Sequence, residues 1–341
     1  GPLVTGEIDG SSFYPRKEIV EIVPGRVFVA RGFGYSEIYF VISRNRNELI
    51  GIDAGTHPDS LKAAFQLFIR SQPDAPPLKS VFITHAHWDH IGGHEYYRQL
   101  NPEVKFFSRG NFHETTEKII DHEPKYKYFR GKKFSNDCIQ SFQPDVTVDE
   151  RQKMIIDATE IELIPVPGGE TNDGLFVLFP SLNVIFTGDF IMPYFGDAWV
   201  EEGNVSGILP AIQVIIDSKA EHVLHGHYGL TNNFSADTMP GLHYSMNWLN
   251  KQTQEQLAKR TTRTDIHRLN LVPPEVSNYP EAMLPYLILR EGMINRLYDQ
   301  QVGIWGPDLQ GVDYVGNIEF NHLFGFYLDL STNQLSDAIT K

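Results

Sequence analysis

Apolar positions fall into short strand-like runs early in the chain and into longer helical stripes late in it. Residues 18–56 read as a series of strands, followed by a helical pattern over 59–71. Lys79-Ser80-Val81-Phe82-Ile83-Thr84 is short, apolar and β-branched, which predicts a buried strand, and residues 91–100 read as the start of a helix. A strand at 104–108 and a helix at 111–120 come next. Residues 121–150 break the rhythm with an aromatic, locally basic run between Asp121 and Phe134. Strand-rich sequence resumes over 153–187, where Ile161, Leu163 and Pro165, and then Leu175, Val177 and Phe179, alternate. A helix at 206–218 and a strand at 221–224 complete this part. After about residue 235 the pattern is helical. Residues 242–259 carry Leu242, Met246, Leu249 and Leu257, and residues 283–300 carry a stripe of Leu287, Ile288, Ile294 and Leu297. That stripe is expected to pack on the core or on a partner chain. Residues 303–341 are Gly-rich and aromatic and fit no single pattern.

Between the strand ending at Thr84 and the helix beginning at Ile91 lies His85-Ala86-His87-Trp88-Asp89-His90. A strand-to-helix loop is a place where a scaffold aims side chains at one point. His85 and His87, two apart in extended chain, project to the same side, and Asp89 and His90 follow on the turn. This is ligand geometry for two adjacent metal ions, and His and Asp are natural zinc ligands. A His-rich polar surface loop is the plain alternative, but the spacing is too specific for it, and Gly92-Gly93-His94 extends the pattern. His94, on the following helix, reads as structural, and His57 as either structural or site-facing.

The His-x-His-x-Asp-His loop resembles the metallo-β-lactamase superfamily, with supporting segments in order along most of the first 230 residues. Gly51-Ile52-Asp53-Ala54-Gly55 resembles the strand-end Asp-x-Gly turn of that family, Val184-Ile185-Phe186-Thr187-Gly188-Asp189 its strand ending in Gly-Asp, and Val223-Leu224-His225-Gly226-His227 its last ligand segment. The resemblance implies a four-layer αβ/βα sandwich, an α/β fold with the metals at one edge, here with a C-terminal helical extension. The expected division is a catalytic domain over 1–235 and the extension over 236–341. Where most members carry Pro-Gly-His-Thr, this chain has Pro167-Gly168-Gly169-Glu170-Thr171. A carboxylate in that place resembles the zinc-dependent alkyl sulfatases, as does the run from Arg26 to Ser36. The run from Arg296 to Gly306 is weakly similar to their dimerisation region.

The resemblance implies a ligand set. His85, His87 and Glu170 would hold one ion, Asp89, His90 and His227 the other, and Asp189 would bridge them, with Asp89 and Asp189 also placed in the chemistry. His225 competes with His227 for the last position and is otherwise second-sphere or substrate-facing. Three carboxylates and a hydroxide would neutralise two divalent cations, which lessens the cost of burying the site. The cofactor expected is two Zn, with Mn or Fe as alternatives for such N/O donors. The implied reaction is cleavage of alkyl sulfate esters by a metal-activated hydroxide. The alternative is a lactone, carboxylic ester or β-lactam hydrolase of the same fold. Arg130, Lys132, Lys133 and His225 are candidates to bind the anionic end of a substrate; a solvated loop is the other reading of the basic run.

Composition narrows the classes. The chain has 341 residues, 41% of them hydrophobic and 21% charged, enough for a large core. Its net charge of −14 disfavours nucleic acid as a partner, which sets it apart from nucleases that use similar metal loops. No apolar run approaches the length of a membrane span. The single cysteine, Cys138, forms no internal disulfide and reads as structural. The opening Gly1-Pro2 has the look of a protease-cleavage remnant. The chain is therefore expected to be soluble, either cytoplasmic or, if a signal peptide has been trimmed, periplasmic or secreted. The expected partner is a small-molecule substrate, an anionic ester, and the resemblance permits a homodimer.

Overall fold

The computed structural model describes residues 16–121, 136–192 and 205–301. The strand-like stretch after residue 18 forms β1 (Glu18–Val23), β2 (Val27–Arg31), β3 (Ile38–Ile42) and β4 (Leu49–Ile52). Helix α1 (Pro58–Ser71) follows. His57 caps it, its Nδ1 accepting the Asp59 N–H at 3.2 Å while the Ser60 hydroxyl accepts the His57 N–H at 3.2 Å. Next come β5 (Leu78–Phe82), α2 (Trp88–Ile91), α3 (His94–Leu100), β6 (Lys105–Ser108), α4 (Phe112–Asp121), α5 (Asn136–Gln140) and β7 (Val146–Thr147). The second half contributes β8 (Gln152–Ile156), β9 (Thr159–Gly168), β10 (Thr171–Phe179), β11 (Val184–Gly188), α6 (Ile208–Ser218), β12 (His222–His225) and α7 (Tyr228–Asn233). Helices α8 (Met239–Ala258), α9 (Arg263–Arg268) and α10 (Pro280–Gln301) end the described chain.

The strands form two sheets. The first has seven strands in sequence order, antiparallel from β1 to β4 and parallel from β4 to β7. The second has five in the order β12-β11-β10-β9-β8, antiparallel except for the β11–β12 pair. Period-two alternation assigns each strand's side chains to two different cores. On β3, Tyr39 and Val41 face the second sheet, where they join Leu163, Val177 and Phe186. Ile38, Phe40 and Ile42 face α1 and α3 and meet Leu61, Phe68 and Tyr97. The outer face of the second sheet, with Ile164, Phe176 and Ile185, is covered by α6, α8 and α10 through Ile212, Leu242, Met246, Leu289 and Met293. Helices, sheet, sheet and helices therefore form the four-layer sandwich, with a C-terminal helical region on its outer face. Each large apolar side chain so buried stabilises it by about 1.5–3 kcal/mol.

Three details differ from the sequence pattern. The strand predicted over 79–84 ends at Phe82; the Ile83 N–H still reaches the Phe107 carbonyl of β6 at 2.9 Å, but the Thr84 N–H turns to the Asp53 carboxylate at 2.7 Å. The helix predicted over 91–100 is broken at Gly92-Gly93, where a Cβ would overlap the Thr56 and Ala54 carbonyl oxygens. In α10 the stripe holds at Ile294 and Leu297, which are buried with Tyr286, Leu289 and Met293, and Ile288 packs against them, but Leu287 is 43% exposed. Arg130, Lys132 and Lys133, and residues 303–341, lie outside the described residues.

Candidate metal centre

The loop from Ile83 to His87, and the short helix α2 that follows it, leave the C-terminal end of β5 at the same end as the turns after β4, β9, β11 and β12. Strand ends thus deliver all the candidate donors to one place. Two groups form. His85, His87 and Glu170 present ligand atoms within 4.8 Å of one another, and so do Asp89, His90, Asp189 and His227. In the first group Glu170 Oε2 lies 3.3 Å from both His85 Nε2 and His87 Nδ1, which are 3.1 Å apart. In the second, Asp189 Oδ2 lies 2.8 Å from His227 Nε2 and 3.2 Å from His90 Nε2. Asp89 Oδ2 lies 3.4 Å from His227 Nε2 and 3.6 Å from His90 Nε2. Asp189 Oδ2 is also 3.8 Å from His85 Nε2, so this carboxylate spans the two groups.

These donors suit divalent cations. Four imidazoles and three carboxylates converge with little exposure, and Asp189 Oδ1 is buried with no hydrogen-bond partner among the described residues. A buried acceptor of that kind calls for a cation or a water. The carboxylates draw positive charge toward themselves. Burial opposes a charge on His227, yet Asp189 and Asp89 outweigh it and raise its pKa to about 9. Burial likewise opposes ionisation of Asp189, but His227 and His90 hold it well below the usual carboxylate range. The same field favours a divalent ion. Close approach is part of the design: a Cβ at Gly226 would overlap Asp189 Oδ1 and His90 Cε1, so the residue before His227 has to lack one.

Two buried carboxylates that the sequence did not single out as site residues hold the donors in place. Asp53 accepts the Thr84 N–H at 2.7 Å and the Thr84 hydroxyl at 2.8 Å. Its Oδ2 is also 2.7 Å from His90 Nδ1, which aims His90 Nε2 at Asp189. Asp173 accepts the Ala86 N–H, between the first two histidines, at 2.8 Å and the Thr115 hydroxyl of α4 at 2.7 Å. The signal for Asp53 was its place in the strand-end Asp-x-Gly turn, which carried no assigned role; Asp173 had none.

The structure brings His227, rather than His225, among the donors. His225 is 0% exposed. Its Nε2–H donates to the Phe234 carbonyl at 2.8 Å, leaving Nδ1 to meet the Thr187 hydroxyl at 2.7 Å. Burial pushes its pKa down to about 4, so it stays neutral and has no face open to substrate. The substrate-facing role considered for His225 is corrected on that ground. His94 sits under α5, its Nε2–H donating to the Cys138 carbonyl at 2.8 Å. His57 serves as the α1 cap.

The sequence profile of the metallo-beta-lactamase superfamily matches residues 31–227, and the chain belongs to that superfamily. Both groups of candidate metal-binding residues lie within the matched segment. No curated protein matches it. Among solved structures it is similar to the stereoselective inverting sec-alkylsulfatase Pisa1 from Pseudomonas sp., with 17% identity, a TM-score of 0.66, and coverage of 84% of this chain and 50% of that one. The chain thus spans about half the length of that relative. It is also similar to a metallo-beta-lactamase from Pontibacter korlensis, with 20% identity, a TM-score of 0.46, and coverage of 62% of this chain and 91% of that one. The likeness to the sec-alkylsulfatase concerns the fold alone.

Proposed function

We propose that the protein is a binuclear metal-dependent hydrolase that cleaves alkyl sulfate esters. The observation that carries this reading is Glu170, which meets His85 and His87 at 3.3 Å in the position where a third imidazole is usual for the superfamily. The sandwich it shares with a sec-alkylsulfatase is consistent with it. His85, His87 and Glu170 would hold one ion, Asp89, His90 and His227 the other, and Asp189 would bridge. Divalent ions there would lower the pKa of a water toward neutrality and polarise the ester. The chain's own residues do the rest. Asp53 keeps His90 Nε2 aimed inward, and Asp173 fixes the backbone between His85 and His87. Asp189 Oδ1, with no other hydrogen-bond partner among the described residues, is an acceptor for a proton of the attacking water. Asp89 balances charge beside it. The catalytic unit is proposed to lie within residues 1–235.

The test is turnover of the zinc-loaded protein against primary and secondary alkyl sulfates, a chromogenic lactone and a cephalosporin. Release of inorganic sulfate, lost in Glu170→Ala, is the expected outcome. Turnover of the lactone or the cephalosporin alone would overturn the substrate assignment and leave a carbonyl hydrolase.

A further inference from the structure

The turn between β2 and β3 has no part in the chemistry just described, yet it is bonded to two ligand segments. The Ser36 hydroxyl donates to the Asp89 carbonyl. The Glu37 N–H donates to the Gly226 carbonyl at 2.8 Å, and His227 Nδ1–H donates to the Tyr35 carbonyl at 2.7 Å. The Tyr39 hydroxyl reaches the His225 carbonyl at 2.5 Å. At the centre is the Glu37 side chain, 0% exposed. Its Oε1 accepts from Arg31 Nε and its Oε2 faces the Tyr39 hydroxyl at 2.8 Å. The Arg31 guanidinium in turn lies 3.9 Å over the ring of Tyr228, the residue after His227. Glu37 is therefore joined to three residues that surround His227 in one ligand segment: to Gly226 by its backbone, to His225 through Tyr39, and to Tyr228 through Arg31.

Stability alone gives little reason for this arrangement. A buried ion pair is often no better for folding than apolar residues of the same volume, and in some proteins its role is to specify one geometry. The geometry fixed here is that of residues 225–228 against Asp89. The other donor group is held from elsewhere, by Asp173 and Thr115 acting on Ala86.

We infer that Glu37 is a positioning residue for the Asp89, His90, Asp189 and His227 group, acting through Arg31 and Tyr39 on the segment that carries His227. The inference rests on the metal-centre reading above. Asp53, through Thr84, and Asp189 touch both groups, but the Glu37 contacts reach only the segments of the second, so loss of Glu37 weakens that group more than the other.

Zinc titration against a chelator, on the full chain, tests this. The wild type should bind two equivalents. Glu37→Gln keeps the volume and removes the charge. It should bind one equivalent about 10–100-fold more weakly, the range seen when partners of metal-ligating side chains are lost, and the other with a clearly smaller loss. Glu170→Ala should weaken the complementary equivalent, and the double variant both. Tyr39→Phe, which removes one hydroxyl, should reproduce the selective loss in smaller measure and serves if Glu37→Gln does not fold. Melting of the chelated variants separates positioning from general loosening, which would weaken both equivalents alike. Two unchanged equivalents in the folded variants, or equal weakening of both, would overturn the inference. A wild type that binds no zinc would instead overturn the metal-centre reading on which it rests.

Discussion

Asp53 shows how much of the site depends on a single residue. Its two oxygens serve the Thr84 backbone, the Thr84 hydroxyl and His90 at once. Asp53→Ala should therefore lower metal affinity by about 10–100-fold, measured by chelator competition, with the fold retained by circular dichroism. Gly226→Ala should do more damage at the same site, because its methyl group has to displace Asp189 or His90. It is expected to bind no more than one tight equivalent of zinc. His94 gives a prediction about pH. Burial lowers its pKa, while the hydrogen bond to the Cys138 carbonyl partly offsets this. The folded state thus disfavours the protonated form relative to the unfolded chain. The associated stability is complete above the ordinary histidine value of about 6.5 and is lost as pH falls through it. Urea midpoints should fall more steeply between pH 7 and pH 5 in the wild type than in His94→Gln; parallel slopes would contradict this. The loop from His85 to His90 was legible in the sequence because its donors are neighbours in the chain. Asp173 was not, because its target, Ala86, lies 87 positions away and only the β9–β10 turn brings them together.

At the scale of elements, the strands were the most legible part. β3 and β4 are buried on both faces, so their apolar runs are nearly continuous. Element ends were less legible, since β5 stops where Asp53 takes the Thr84 N–H and the helix after it yields to close packing at Gly92-Gly93. In α10 the stripe was right at Ile294 and Leu297 but wrong at Leu287, because residues 286–289 are apolar nearly all round and periodicity could not choose a face there; packing against α8 chose Tyr286 and Leu289. Leu289→Ala should therefore cost about 2–5 kcal/mol in urea unfolding, and Leu287→Ala within about 0.5 kcal/mol. Equal costs would mean that α10 is rotated from the face described here.

For the whole molecule, the sandwich collects the ends of β4, β5, β9, β11 and β12 at one edge, and the metal-centre reading depends on that convergence. None of the described helices is long and apolar enough to cross a membrane. Metal and fold should be coupled, because the donors come from both sheets. Free zinc at 100-fold above its dissociation constant should add about 2.7 kcal/mol of stability per site, seen as a melting midpoint that falls when chelator is added. The most direct measurement is the number of zinc ions that the intact chain retains after dialysis, counted by elemental analysis beside Glu170→Ala and Asp189→Asn. Two per chain in the wild type, fewer in each folded variant, is the expected result. A wild type that retains none, or variants that retain as many as the wild type, would contradict a centre built from His85, His87, Asp89, His90, Glu170, Asp189 and His227.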